Sequence, residues 1–191
     1  MVEIKQNESL VYVSFSAEIN INTAELFISV MAECLNKNVK QVYILFSTLG
    51  GTVVDGLNMY HVLKGMPFHL TMHNVGNVDS IGIAIFLAGK IRYACLNSTF
   101  MFHGVGFNWQ QNERLDQKNL DEKLSSLLQD QKRIGNVIAE YSKLSTSETD
   151  SFFKQGCTKD STFALDKGII NEIREVGIQG GCPMVTLVTK K

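Results

Sequence analysis

Three stretches of this 191-residue chain carry residues suited to attack on a carbonyl group and to holding the charge that results. The first is "GNVDSIGIA", residues 76 to 84, where a β-like run gives way to a helix of small and apolar residues and Ser80 stands at the junction. A serine hydroxyl is a poor nucleophile unless a base removes its proton, and the tetrahedral intermediate then needs preorganised N–H donors. A sharp strand-to-helix turn would expose Oγ, and the helix start would offer the backbone N–H of Ile81. The bland alternative is that Ser80 only caps the helix, a position serine favours and for which Asp79 competes. The second stretch, "LFSTLGGTVVDG", places Gly50 and Gly51 between an apolar strand and a helix, where glycine permits close backbone approach and free N–H groups. The third, "RYACLNSTFMFHG", ends a strand on His103.

Other chemistry finds little support. His69 and His73 are four apart, a metal spacing on a helix, but "FHLTMHNV" is strand-like and would hold them about 13 Å apart. They read as half-buried or surface histidines, and His61 as a surface residue of a helix. No metal and no cofactor is expected. The four cysteines, Cys34, Cys95, Cys157 and Cys182, form no CxxC and read as reduced thiols. With 18 basic and 19 acidic residues there is no basic stripe for nucleic acid. The most apolar run, "IGIAIFLAG", is nine residues, about half of a membrane span. A cytoplasmic protein with no membrane partner is expected.

Strands and helices must position these residues. "LVYVSF" (10 to 15) and "QVYILF" (41 to 46) read as strands flanking the helix "NTAELFISVMAECLNK", capped at Asn22. A strand, helix, strand crossover implies parallel pairing. "TVVDGLNMYHVLKG" (helix), "FHLTMHNV" (strand), "DSIGIAIFLAG" (helix), "IRYAC" and "STFMFH" (strands) continue the pattern, so the fold class is α/β. Two short capped helices, a small strand and a last strand, "MVTLVT", complete the chain.

Between them lies a glycine-punctuated arm holding Phe107 and Trp109, suited to packing or to substrate contact, then a polar helix over 113 to 144. Its seam of Leu120, Leu124, Leu127, Gln131, Ile134, Ile138 and Tyr141 has the heptad spacing of a helix meeting another helix. At 1.5 Å per residue it would extend about 48 Å, beyond the breadth of a small domain. Part of it should project and join a second subunit; alternatively it breaks near Gly135 and caps its own sheet.

The glycine pair, the serine turn and the histidine strand together resemble the proteolytic subunit of the Clp protease. That family shows an SPGG-type loop, a GMAAS-type serine turn and a strand of the form RYALPNSRVMIHQP. "NTAELFISVMAECLNKNVKQVYILF" fits its first helix and strand, "ALDKGIINEI" fits its A-L-x-x-G-L-I-D ending, and the likeness runs over about residues 10 to 175. It implies a ClpP/crotonase-like repeated ββα superhelix in one domain over 1–191. The head would be residues 1–103 and 145–191, and the handle, arm and projecting helix, residues 104–144. It implies Ser80 as nucleophile, His103 as general base, and the N–H groups of Gly51 and Ile81 as the oxyanion hole. The substrate would be peptide or unfolded protein, inside a homo-oligomer of rings joined through 113–144.

The chain departs from the family at four places. The family's catalytic aspartate falls on Gly156, so the third acid is open. Asp160 is the nearby candidate, although "DSTFA" also suits it to a helix cap, and Asp150 and Asp116 are weaker ones. Leu49 replaces a proline. "NVD" puts a carboxylate, Asp79, beside the nucleophile, directed either at the imidazole or at solvent. About ten residues precede the first strand, leaving little room for the segment that engages an ATP-driven unfoldase, which is not counted among the expected partners. The rival readings are an inactive assembly subunit on the same scaffold, and a crotonase-type acyl-CoA enzyme, for which no glutamate base or CoA pocket stands out.

Overall fold

A computed structural model describes residues 3–106 and 116–187. Phe107, Trp109 and the start of the expected long helix, 113–115, lie outside them. In chain order the elements are β1 (Leu10–Ser16), α1 (Ile21–Asn36), β2 (Gln41–Thr48), α2 (Val53–Gly65), β3 (His69–Asp79), α3 (Ile81–Phe86) and β4 (Ile91–Ala94). There follow β5 (Thr99–Phe102), α4 (Gln117–Tyr141), α5 (Thr146–Gln155), β6 (Cys157–Asp160), α6 (Ser161–Asp166), β7 (Glu172–Ile173) and β8 (Met184–Leu187).

The strands make one mixed sheet with β6-β5-β3-β2-β1-β8 in order, while β4 branches from β3 and carries β7. All described pairings are parallel except β5 with β6. Helical crossovers force the parallel pairing of β1, β2 and β3. Their side chains build the core with those of the helices: Phe15 stacks on Phe46 at 5.3 Å and meets Phe27 of α1 edge-on at 5.5 Å. The cap of α1 is Asn20 rather than Asn22. Asn20 Oδ1 accepts the Thr23 N–H at 3.1 Å and Thr23 Oγ1 accepts the Asn20 N–H at 3.0 Å, a reciprocal pair that Asn22, inside the first turn, cannot make.

What positions the site is a fork in β3. Thr71–Asn74 pairs with β4, but Asn77–Asp79 pairs with β5, so one strand changes partner along its length. Asn74, fully buried, holds the fork: its amide donates to Thr99 O at 2.8 Å and its Oδ1 accepts the Gly76 N–H at 3.0 Å. The end of β3 then delivers Asp79 and Ser80, and the end of β5 delivers His103, to one end of the sheet.

His69 is exposed on β3, but His73 is fully buried, against the expectation of a half-buried or surface residue. Its Nδ1 bonds the Tyr43 hydroxyl at 2.7 Å and its Nε2 meets Arg174 O at 3.0 Å, so both ring nitrogens are satisfied without a metal. Burial lowers its pKa below the ordinary histidine value.

Helix α4 is continuous through Gly135, so no break occurs there. The heptad seam divides in two. Ile134 and Ile138 are buried in the chain's own core, with Gly135 close to Phe153 and Thr149 of α5. Residues 117–133 hold no buried position, and Leu120, Leu124 and Leu128 are 47%, 54% and 55% exposed. Of the seam expected to meet a second subunit through 113–144, Ile134 and Ile138 instead face the chain's own core, while residues 117–133 are the part that projects. No described helix is long and apolar enough to cross a membrane.

Candidate active site

Ser80 is one of three described non-glycine residues with positive φ, at φ 57° and ψ −126°. This conformation costs a side-chain-bearing residue about 1–3 kcal/mol and persists only where surroundings enforce it. Here the Ser80 N–H donates to Met101 O of β5 at 2.8 Å, and Ser80 O accepts the Ile83 N–H at 3.0 Å. Behind it, every residue of α3 is buried, so the turn cannot relax outward. Ser80 occupies the cap position of α3, yet its side chain makes no capping bond. Ser80 instead lines a cleft of about 590 Å³ that it shares with His103, Gly50 and Gly51.

Both glycines are required by contact. A Cβ on Gly50, at φ +90°, would stand 2.8 Å from Ser80 Cβ, and one on Gly51 would stand 2.0 Å from Ile19 O. Ile19 donates to Gly50 O at 2.8 Å and accepts from the Thr52 N–H at 2.8 Å. In such a parallel bridge the middle residue's own amide faces the other way. The Gly51 N–H is thus turned from Ile19 and has no acceptor among the described residues, and the Ile81 N–H opens α3 where no intrahelical partner exists. Gly51 lines the same cleft as Ser80 and Ile81 follows Ser80 directly, so both free donors lie near the serine turn, as an oxyanion hole would need.

His103 follows β5 and is exposed. Its backbone is pinned on both sides, by the Phe102–Cys157 pairing and by the Gly104 N–H bonded to Phe153 O at 2.9 Å. The imidazole has no hydrogen bond to Ser80 and no ion pair with a described carboxylate. One further step of the β5–β6 register sets Gly156 opposite His103, at φ 62°, with nothing within 4 Å of where a Cβ would lie. Asp160 is paired with Thr99, four residues from His103 or about 13 Å along the strand. Its carboxylate accepts the Phe163 N–H at 2.8 Å and caps α6. Asp116 caps α4 in the same way, and Asp150 is exposed in a separate depression between α4 and α5. The structure therefore brings Ser80, His103 and Gly51 to one cleft, with Ile81 next to Ser80 in the chain, and leaves Asp160 apart from them.

The cleft lies where β1, β2 and β3 end, the usual ligand side of an open α/β sheet. Asn77, Ser16 and Glu18 line it, and Thr48 supports it by accepting the Gly50 N–H at 3.1 Å. None was picked out from sequence, although their places at strand ends could have flagged them. Asp79 is buried, 9% exposed, and its Oδ1 has no hydrogen-bond partner. Burial pushes its carboxyl above the ordinary range, opposed by the Met101 N–H, the His103 charge and the Asn77 side chain. Among the described residues no group of three or more His, Cys, Asp or Glu converges as metal ligands would.

A family model for Clp protease matches residues 6–177. Among solved structures, a ClpP1 point mutant from Listeria monocytogenes is similar, with a TM-score of 0.77 and 23% identity over 86% of this chain and 91% of that one. The curated proteins contain no match.

Proposed function

From the premise that the chain belongs to the Clp protease family, we propose that it is a serine peptidase acting on peptides or unfolded protein through Ser80 and His103. The observation that carries this reading is the strained Ser80 backbone, φ 57° with an uncapping hydroxyl in the cleft. A helix cap needs no such conformation, since the other described caps with side-chain bonds, Asn20, Asp116, Ser145 and Asp160, are all extended.

In this mechanism Ser80 Oγ bonds to the peptide carbonyl carbon while its proton passes to the His103 imidazole. The carbonyl π electrons move to oxygen, which the Gly51 and Ile81 N–H groups receive. Collapse expels the amine with the proton from the imidazolium. Water then hydrolyses the acyl-enzyme by the same path. The assembly is a homo-oligomer in the cytoplasm, with the exposed leucines of α4 as the contact surface.

An inactive assembly subunit is the second reading, favoured by one observation: Gly156, opposite His103, has no side chain. Turnover of a short fluorogenic peptide separates the two. The peptidase reading requires hydrolysis that falls to background in Ser80→Ala with the fold intact; the same slow rate in both proteins favours the assembly subunit.

A further inference from the structure

Building on the peptidase reading, we propose that Asp79 is the positioning residue for His103, its buried carboxylate doing what no side chain at Gly156 can do. Residues paired across a parallel ladder share a face, and so do residues two apart on one strand. Asp79 pairs with Met101. Carrying the alternation from Met101 to His103 puts Asp79 and His103 on one face of neighbouring strands.

Asp79 is more than nine-tenths buried and Oδ1 is unpartnered. A buried carboxylate with one oxygen unpartnered is costly, and the apolar residues that fill α3 directly behind it show that the site could have been filled without charge. The polar and charged groups acting on it are the Met101 N–H and His103 from β5 and the Asn77 side chain from its own strand. α3 contributes no titratable group, and the end of β2 contributes Thr48 and Gly50, both neutral.

The two groups are not in ion-pair contact, so Asp79 acts on the imidazole through its charge. When Ser80 Oγ bonds to carbon and its proton reaches the imidazole, a cation forms beside this carboxylate. Acting in its ionised form, Asp79 neither gains nor gives a proton in this step. The attraction lowers the energy of the imidazolium and biases the exposed ring toward the Ser80 side of the cleft. Because the action is not by contact, the effect is smaller than in a hydrogen-bonded triad.

Asp79→Asn should lower kcat about tenfold to a hundredfold with KM little changed, and should move the acidic limb of kcat/KM to lower pH, because a neutral amide no longer favours the imidazolium. Asp79→Glu should restore part of the rate and the position of the limb. A kcat within twofold of the parent, or a loss with the limb unmoved, would overturn the proposal. A readout independent of turnover is the titration of the Asp79 carboxyl carbon by NMR. In His103→Ala its midpoint should rise by about half a unit or more, the imidazolium that favoured the carboxylate being gone. An unchanged midpoint rejects the coupling even if the protein proves to be no peptidase.

Discussion

Gly50 and Ser80 meet back to back: a Cβ on the glycine would fall 2.8 Å from the serine Cβ and 3.1 Å from Asp79 O. The loop after β2 therefore gauges the position of the turn after β3. Gly50→Ala adds both this clash and a side chain at φ +90°, and should cost about 1–3 kcal/mol of stability. Peptide turnover should fall further than the folded fraction does, since the displaced atoms belong to Ser80. Urea unfolding alongside peptide turnover checks both parts.

The division of α4 gives opposite expectations for its two ends. Ile138→Ala should destabilise the fold by about 2–5 kcal/mol, as expected of a fully buried isoleucine. Leu120→Lys with Leu124→Lys should leave the melting temperature of the dissociated chain nearly unchanged and shift sedimentation toward smaller species. Sedimentation identical to the parent would remove this surface from the assembly.

Which of these features could be read from residues alone follows from how local each one is. The serine turn, the glycine pair and the histidine strand are short, ordered patterns, and the strands around them alternate with helices that enforce parallel pairing. The heptad pattern of α4 says that a helix face is apolar, but not that Ile134 and Ile138 face α5 and the core while Leu124 faces outward. The local pattern points to Asn22 as the cap of α1, and only the reciprocal bond with Thr23 moves it to Asn20. The burial of His73 depends on Tyr43 and on Arg174, distant in sequence. Asp79 was legible as an extra carboxylate, but its burial arises from the β3 fork, which no local pattern announces.

The raised Asp79 pKa has a stability consequence of definite sign. A carboxyl whose folded pKa lies above its unfolded value binds more protons when folded, so stability falls as pH rises between the two. Asp79→Asn should therefore be more stable than the parent at pH 7, with the difference disappearing below the ordinary carboxyl range. Thermal unfolding across pH 3 to 8 tests this, and a gain in stability accompanied by a loss of rate is the expected combination.

Glu148 shows the reverse sign. Its carboxylate accepts the Ser145 N–H at 2.9 Å and the Ser145 hydroxyl at 2.8 Å and pairs with Lys167 at 3.1 Å, holding its pKa down to about 2. Its stabilisation is present above the ordinary glutamate range and is lost as pH falls toward 2. Glu148→Gln should therefore unfold at lower denaturant concentration at pH 7 and converge on the parent near pH 2. The clamp matters to the site because α5 supplies the Phe153 carbonyl that anchors Gly104, next to His103.

The central claim, that Ser80 is an activated nucleophile, is tested most directly by mass-spectrometric mapping of the adduct formed with a fluorophosphonate. The account predicts a single modified peptide containing Ser80, absent in Ser80→Ala and formed at least a hundredfold more slowly in His103→Ala, since the proton then has no base to receive it. Folded, assembled protein that acquires no adduct at Ser80 anywhere between pH 5 and 9 would contradict it.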